Sequence, residues 1–301
     1  MPAERPPTIE PAAAARWQNI ASLPSPWLHE EVARRMEERL DLIRLVPKTW
    51  AHWEPVHGGM AAHELLMRRY PESECFMALS HEKHAPKAIK NIAKPWWQPA
   101  RWKASRTRFE APPEAAVQMV WANMALHMIA DPQALIAQWH KALATDGFLM
   151  FSCFGPDTLR ELRAFYPQMG WPAPSHEFTD MHDWGDMLVA SGFAEPVMDV
   201  EHITLTYETP ERLLAELRSL GRNLHPARFP ALRGRRWLAH LHNALAEHLA
   251  DPQNGGRLKL TFEVIYGHAI KPQKRLAVRP ELNISMDEMR RALRSGKTDK
   301  P

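Results

Sequence analysis

VWANMALHM (residues 120–128), followed by Asp131-Pro132, is the stretch that decides the fold of this chain. Its first two residues complete the strand candidate Val117–Trp121 (VQMVW). Asp131 is a good helix N-cap and Pro132 suits the first helical position, so a helix is expected to begin there. The apolar face of that helix comprises Leu135, Ile136, Trp139 and Leu143. A strand followed closely by a capped helix is typical of α/β layer architectures.

The segments on both sides of this unit continue the alternation. Helices are expected where apolar residues recur every three or four positions, and strands where short runs are rich in apolar and β-branched residues. This order predicts a mostly parallel sheet with helices on both faces, and the last strand could be antiparallel to the rest. The predicted elements are helices over Glu31–Leu45 (ended by Pro47), Ala61–Arg69, Thr179–Ala190 (capped by Thr179) and Pro210–Gly221 (capped by Thr209), and strands over Cys75–Leu79, Phe148–Phe154, Val197–Leu205 and Leu258–Ile270.

The composition is that of a globular protein. The 301 residues are 45% hydrophobic and 24% charged, which argues against disorder over most of the length. No stretch approaches the roughly 18 uncharged apolar residues of a membrane-spanning helix, and the N-terminus lacks the pattern of a secretory signal. The two cysteines, Cys75 and Cys153, do not form a disulfide framework, so a reduced, cytoplasmic protein is expected. A net charge of +3 is too small to indicate a nucleic-acid partner.

The chain changes character at two places. Residues 1–29 are rich in proline and alanine without a clear period, and they are expected to form an irregular arm with one short helical turn. Residues 30–270 are expected to form the main domain, which includes a helical insertion at about 207–256. Residues 271–301 become basic and poor in apolar side chains toward the end, which predicts a partly disordered extension.

The deciding stretch resembles a segment of the class I S-adenosylmethionine-dependent methyltransferases. More narrowly, it is similar to the malonyl-acyl-carrier-protein O-methyltransferases of biotin synthesis (BioC-like), in which a strand ends in a comparable sequence before a helix. The resemblance spans about residues 31–270. It continues through the segments Glu31–Leu45, Phe151–Arg163, Phe178–Phe193 and Leu205–Asn223.

This resemblance implies a Rossmann-like fold with a mostly parallel seven-stranded sheet, helices on both faces and a small helical cover. The cofactor would lie over the carboxyl ends of the strands, where ligands bind in open α/β sheets. The implied reaction is methyl transfer from S-adenosylmethionine to the free carboxylate of a malonyl thioester. That thioester would be carried by an acyl carrier protein, which is an acidic partner.

The cofactor-binding candidates are Glu54, Gly58, Gly59 and Asn123. In the family, an acidic residue and three alternate glycines follow the first strand, because the backbone must turn tightly and approach the cofactor. The segment WEPVHGGM (53–60) keeps Glu54 and the glycine pair only.

Three other positions depart from the family pattern. Val56 and Met60 stand where glycines are expected, and Ala78 stands where an aspartate would accept the ribose hydroxyls. Charged hydrogen bonds to a ligand contribute roughly 1.5–3 kcal/mol each. The sequence therefore predicts that S-adenosylmethionine is bound weakly, or that binding has been lost.

The substrate-binding candidates are His127, Arg212, Arg218 and Arg222. His127 follows the deciding strand, where methyl donor and acceptor meet in the family. The arginines belong to a basic segment that suits a carboxylate and an acidic carrier protein, although a solvated basic helix is the plainer interpretation. No catalytic acid or base is assigned, because a carboxylate nucleophile is already ionised. No metal site is expected, because neither His81/His84 nor His240/His242 has zinc-ligand spacing.

Two functions remain open at this point. The first is an active methyltransferase of the malonyl-carrier-protein type. The second is a pseudo-methyltransferase that keeps the fold and acts as a binding or regulatory protein. Both remain open because the segments after residue 120 match the family pattern, whereas the cofactor segment before it departs from that pattern.

Overall fold

The parallel half of the sheet contains strands at the predicted positions Cys75–Leu79, Val117–Trp121 and Phe148–Phe154, and a two-residue strand at Thr107–Arg108 that the sequence did not predict. The computed structural model of the chain describes residues 9–20, 25–79, 81–92 and 106–273. Five parallel strands follow one another in the order β3-β2-β1-β4-β5. Their bounds are β1 Thr49–Trp53, β2 Glu74–Ala78, β3 Thr107–Arg108, β4 Val117–Ala122 and β5 Leu143–Phe154.

The remaining strands close the other edge of the sheet. They are β6 Ala194–Tyr207, β7 Ala250–Asp251 and β8 Arg257–Ile270. Strand β8 lies between β5 and β6 and is antiparallel to both, as the sequence suggested for Leu258–Ile270. The two-residue β7 pairs with β8 outside this path, so the sheet has seven strands in series and one short addition among the described residues.

Helices cover both faces of the sheet. They are α1 Pro11–Gln18, α2 Trp27–Glu38, α3 Pro55–Gly58, α4 Ala61–Arg69, α5 Ala85–Ile92, α6 Pro132–Ala142, α7 Arg160–Phe165, α8 Met181–Ala190, α9 Pro210–Leu220 and α10 Arg235–Leu249. One core contains buried residues of α2, α4 and α10, and the other contains Trp139 of α6 and Trp184 of α8. No described helix is long and apolar enough to cross a membrane.

Several predicted boundaries were wrong. Helix α2 begins at Trp27, directly after Pro26, and ends at Glu38, so the predicted helix Glu31–Leu45 is displaced toward the N-terminus. Asp180, rather than Thr179, caps α8, because its carboxylate accepts a hydrogen bond from the His182 amide at 2.7 Å. The caps Asp131 and Thr209 are confirmed.

The structure differs in part from the predicted division of the chain into regions. The arm at 1–29 contains α1 and the beginning of α2, so it is not irregular throughout. The helical insertion expected at 207–256 holds α9 and α10, but residues 221–234 between them are not helical. Residues 274–301 of the C-terminal extension and the tryptophan-rich stretch 93–105 lie outside the described residues.

Candidate functional site

A cavity of about 320 Å³ opens at the carboxyl ends of β1, β2 and β4. We call it the sheet-end cavity; Trp53 and Glu54 after β1, Ala78 of β2 and Met124 after β4 contribute to its walls. These strands run parallel, so their carboxyl ends meet at one edge. The position agrees with the ligand site that the sequence predicts.

Glu54 is the one predicted cofactor residue that lines this cavity. It is buried and has a left-handed backbone, with φ 49° and ψ 47°. A non-glycine residue in this region costs about 1 kcal/mol or more, and such residues cluster at functional sites. Pro55 then occupies the first position of the single turn α3, where its missing N–H is harmless.

Gly58 and Gly59 lie behind the cavity wall, not in it. Gly58 is the last residue of α3, in the turn between β1 and α4, and Gly59 ends that turn at φ 120°. A Cβ on Gly58 would lie 2.2 Å from the main-chain oxygen of Asn123. Glycine is therefore needed here for a close contact between two protein backbones, and a contact of these glycines with the cofactor stays a prediction.

Asn123 joins four segments beneath the same wall. Its side-chain amide donates to the main-chain oxygens of His29 and Gly58, and its Oδ1 accepts from the Ser152 hydroxyl at 2.7 Å. Ser152 also accepts a hydrogen bond from the Met124 amide at 3.0 Å. Asn123 is fully buried, and this arrangement assigns it to holding the end of β4 against α2 and α3. Its predicted contact with the cofactor remains untested.

Helix α1 supplies a wall that the sequence analysis missed. Trp17 and Gln18 line the sheet-end cavity, although they belong to the arm predicted to be irregular. The arm is attached to the cover by an ion pair between Glu10 and Arg228 at 2.6 Å and by the Arg222 guanidinium 5.4 Å from the centre of the Trp17 ring. The sequence signal for this helix was the helical spacing of the apolar residues Ile9, Ala13, Ala14 and Trp17, which pack in one cluster.

A second cavity, also of about 320 Å³, lies beneath α9 and α10. We call it the cover cavity; Phe154, Tyr166, Leu217 and Trp237 are among its lining residues. Arg218 and Arg222 lie on its wall and are exposed. Arg212 does not line it and instead pairs with Glu208 at 3.9 Å, so only two of the three predicted arginines reach this cavity.

His127 lines both cavities and is therefore at their junction. Its ring lies 4.6 Å from that of Phe154 and 6.1 Å from that of Phe178, measured between centres. Burial, together with the nearby His29 and His176, holds the pKa of His127 well below its usual range. The imidazole is consequently neutral at ordinary pH and presents an uncharged surface between the cavities.

Comparisons with known proteins identify relatives of this chain. The chain is 37% identical to the malonyl-acyl-carrier-protein O-methyltransferase of Gallionella capsiferriformans over 256 residues, covering 83% of this chain and 86% of the relative. It is 36% identical to the enzyme of the same name from Laribacter hongkongensis, covering 82% of this chain and 84% of that protein. The chain belongs to the malonyl-acyl-carrier-protein O-methyltransferase family. None of these comparisons favours the alternative of a binding or regulatory protein over the enzyme.

Solved structures show that the fold of this family member is that of the methyltransferases. The YcgJ protein of Bacillus subtilis matches with a TM-score of 0.53 at 14% identity, covering 81% of this chain and 99% of that one. A Bacillus halodurans protein that is named a putative methyltransferase matches with a TM-score of 0.50 at 13% identity, covering 79% of this chain and 99% of that one. No protein-family model matches the chain.

Buried histidines give this methyltransferase family member a predictable acid sensitivity. Burial lowers the pKa of His29, His63 and His176 to about 4, and that of His52 and His127 well below the usual range. The unfolded chain binds protons near pH 6.5, whereas these folded side chains do not, so stability is lost as pH falls below about 6.5.

We expect the free energy of unfolding to fall by up to about 1.4 kcal/mol per pH unit for each such histidine between pH 6.5 and 4. Urea unfolding at several pH values measures it. In the part of the chain that the structure describes, neither ring nitrogen of His52 has a hydrogen-bond partner. His52→Leu should therefore remove one histidine's share of the pH dependence without destabilising the chain at pH 8. A flat profile between pH 7 and 5 would contradict the prediction.

The structure also assembles a cluster that sequence spacing could not reveal. Ligand atoms of Glu54, His57 and His84 all lie within 4.8 Å of one another. His57 comes from the turn after β1 and His84 from the short 3-10 helix after β2, so 27 positions separate the two histidines in the sequence. Adjacent parallel strands bring the two turns together.

Proposed function

We propose that this chain transfers a methyl group from S-adenosylmethionine to the free carboxylate of a malonyl thioester on an acyl carrier protein. The observation that carries the proposal is the meeting of two cavities at His127. One lies at the sheet edge where the fold binds ligands, and the other lies under a cover with arginines at its wall. This arrangement allows a donor and an acceptor to approach from opposite sides.

The sheet-end cavity fits the cofactor in its main features. Glu54 offers a carboxylate to the ammonium group of the methionine part, and Trp17 and Trp53 offer aromatic surface to the adenine. Ala78 cannot accept hydrogen bonds from the ribose. When bound, S-adenosylmethionine supplies the electrophilic methyl group. We expect the lost carboxylate at position 78 to weaken its binding without changing its place.

The chain's own contribution to the reaction is positioning and exclusion of water. A malonyl carboxylate is ionised at neutral pH, so it needs no base to become a nucleophile. Effective methyl transfer depends on holding the two reacting groups in line. A site that does so removes much of the entropic part of the activation barrier. The neutral His127 and the rings of Phe154 and Phe178 give the junction an apolar boundary that limits hydration of the carboxylate.

Arg218 and Arg222 are assigned to the acceptor side. Both are exposed at the wall of the cover cavity, where a guanidinium can pair with a carboxylate or with the phosphate of a carrier's prosthetic arm. The Arg222 guanidinium also donates to the main-chain oxygens of Arg218 and Gly221, which holds it at the end of α9.

The activity is tested by incubating the purified chain with S-adenosylmethionine and malonyl-loaded acyl carrier protein. Mass spectrometry of the carrier should show addition of one methyl group, and the product should resist decarboxylation of its malonyl group. The matched control is acetyl-loaded carrier, which has no free carboxylate and should remain unchanged. Absence of methylation at saturating cofactor, with a folded chain, would contradict the proposed function.

Changing Arg218 and Arg222 together to alanine is expected to weaken carrier binding about fivefold at low salt, or about 1 kcal/mol. The difference should shrink as salt rises, because the Debye length falls from about 10 Å at 0.1 M to about 3 Å at 1 M. Surface-based binding at both salt concentrations measures it. Arg212→Ala is the control, since that side chain lies outside the cavity. Equal effects of both variants would contradict the assignment.

A further inference from the structure

We propose that Glu54, His57 and His84 form a binding site for a divalent metal ion of the zinc class at the carboxyl edge of the sheet. The three side chains bring one carboxylate and two imidazoles together, with ligand atoms no more than 4.8 Å apart. Two of them are buried and His57 is half-buried. This site goes beyond the proposed methyl transfer and does not depend on it.

The donor set is one that zinc uses. Two imidazole nitrogens and one carboxylate oxygen hold Zn²⁺ at about 2.0–2.2 Å in sites that keep a further position open. Ligand atoms around such an ion lie roughly 3–3.5 Å apart, so a modest contraction of the present cluster would complete the coordination. Glu54 and His57 line the sheet-end cavity, which gives the open position access to water or a small ligand.

The orientation of the two rings supports the same conclusion. The centres of the His57 and His84 rings are 5.2 Å apart, and their planes meet at 74°. Two imidazoles on one tetrahedral ion, bonded at about 2.0–2.1 Å, have ring centres roughly 5 Å apart. The rings thus already have the separation that a shared ion requires.

His57 provides an independent indication. Its Nδ1 atom is buried and has no hydrogen-bond partner among the described residues, whereas its Nε2 atom faces the main-chain oxygen of Gln18 at 3.5 Å. Histidine ligands usually donate their second ring N–H to a carbonyl or carboxylate, which fixes the ring. Here Gln18 of α1 is placed for that role, and Nδ1 is the atom left to bind the ion.

The metal and the cofactor would both require Glu54. A carboxylate coordinated to a divalent ion is not available to the ammonium group of S-adenosylmethionine, so the two ligands are expected to exclude each other. This competition rests on the proposed function, whereas metal binding by itself does not. The two can therefore fail separately.

The test is titration of the untagged, full-length chain with Zn²⁺ and Co²⁺ after dialysis against a chelator. We expect one tight Zn²⁺ per chain by calorimetry, and visible absorption bands of tetrahedral Co²⁺. Glu54→Gln, His57→Ala and His84→Ala should each weaken Zn²⁺ binding at least tenfold. His182→Ala is the control, because this exposed histidine lies on α8 and should leave binding unchanged.

Circular dichroism reports whether each variant is folded. If the buried His84 variant fails to fold, Glu54→Gln and His57→Ala decide the outcome. Absence of a tight ion in the wild type, or equal binding by the wild type and the folded cluster variants, would overturn the site. If Zn²⁺ binds at the cluster, saturating it should lower the affinity for S-adenosylhomocysteine; an unchanged affinity would overturn the shared role of Glu54 and leave the metal site standing.

Discussion

Gly58→Ala is expected to lower the free energy of unfolding by about 2–3 kcal/mol. The added Cβ would lie 2.2 Å from the main-chain oxygen of Asn123, and real side chains do not approach a backbone atom so closely. The turn α3 would have to move away from β4, which disturbs the hydrogen bonds of the Asn123 side chain. Forced overpacking of this kind typically costs about 1–3 kcal/mol. Urea unfolding monitored by tryptophan fluorescence measures the change.

Gly185→Ala is the matched control for this prediction. Gly185 lies within α8, and a Cβ there would meet no atom of the described residues within 4 Å. Alanine in a helix interior is favoured over glycine by about 0.5–1 kcal/mol, so this variant should be more stable than the wild type. If Gly58→Ala were equally stabilising, the close packing of α3 against β4 would be wrong.

Ala78→Asp is expected to tighten binding of S-adenosylhomocysteine about tenfold or more. The residue ends β2 and lines the sheet-end cavity, where the family places an aspartate for the ribose hydroxyls. A charged hydrogen bond contributes roughly 1.5–3 kcal/mol, and about 1.4 kcal/mol corresponds to tenfold in affinity. Calorimetry measures the change, with Ala78→Asn as a control of similar size and no charge.

An equal gain for the two variants, or no gain from a folded Ala78→Asp, would contradict a charged hydrogen bond between position 78 and the ribose. Val56→Gly would restore a glycine of the family pattern, but it should not be combined with Ala78→Asp. Val56 is fully buried and packs in a cluster with Met60, Met77 and Ala88, so removing its side chain would leave a hole.

The order of the strands and helices could be predicted from the sequence because it depends on local signals. Asp131 and Thr209 cap helices through hydrogen bonds within three residues, and the β8 strand follows from a long run of β-forming residues. Element ends were harder, because they depend on neighbours. Asp180, and not Thr179, caps α8. Both residue types are good helix caps, so the sequence alone did not decide between them.

The site was predicted less well, because its residues act across the fold. The glycine pair was recognised, but its contact with the backbone of Asn123 joins positions 65 residues apart. The cluster of Glu54, His57 and His84 depends on the pairing of β1 with β2, which local spacing does not report. The contribution of Trp17 likewise depends on how α1 folds back over the sheet edge.

The most direct measurement is a calorimetric titration of the wild-type chain with S-adenosylhomocysteine, in a chelator so that no metal interferes. The account predicts one molecule per chain with a dissociation constant above about 10 micromolar, which corresponds to about −7 kcal/mol. Glu54→Gln should weaken that binding at least tenfold, because it removes a buried carboxylate from the cavity wall. No binding at millimolar concentrations would contradict the cofactor site, and a constant below 10 micromolar would contradict the effect assigned to Ala78.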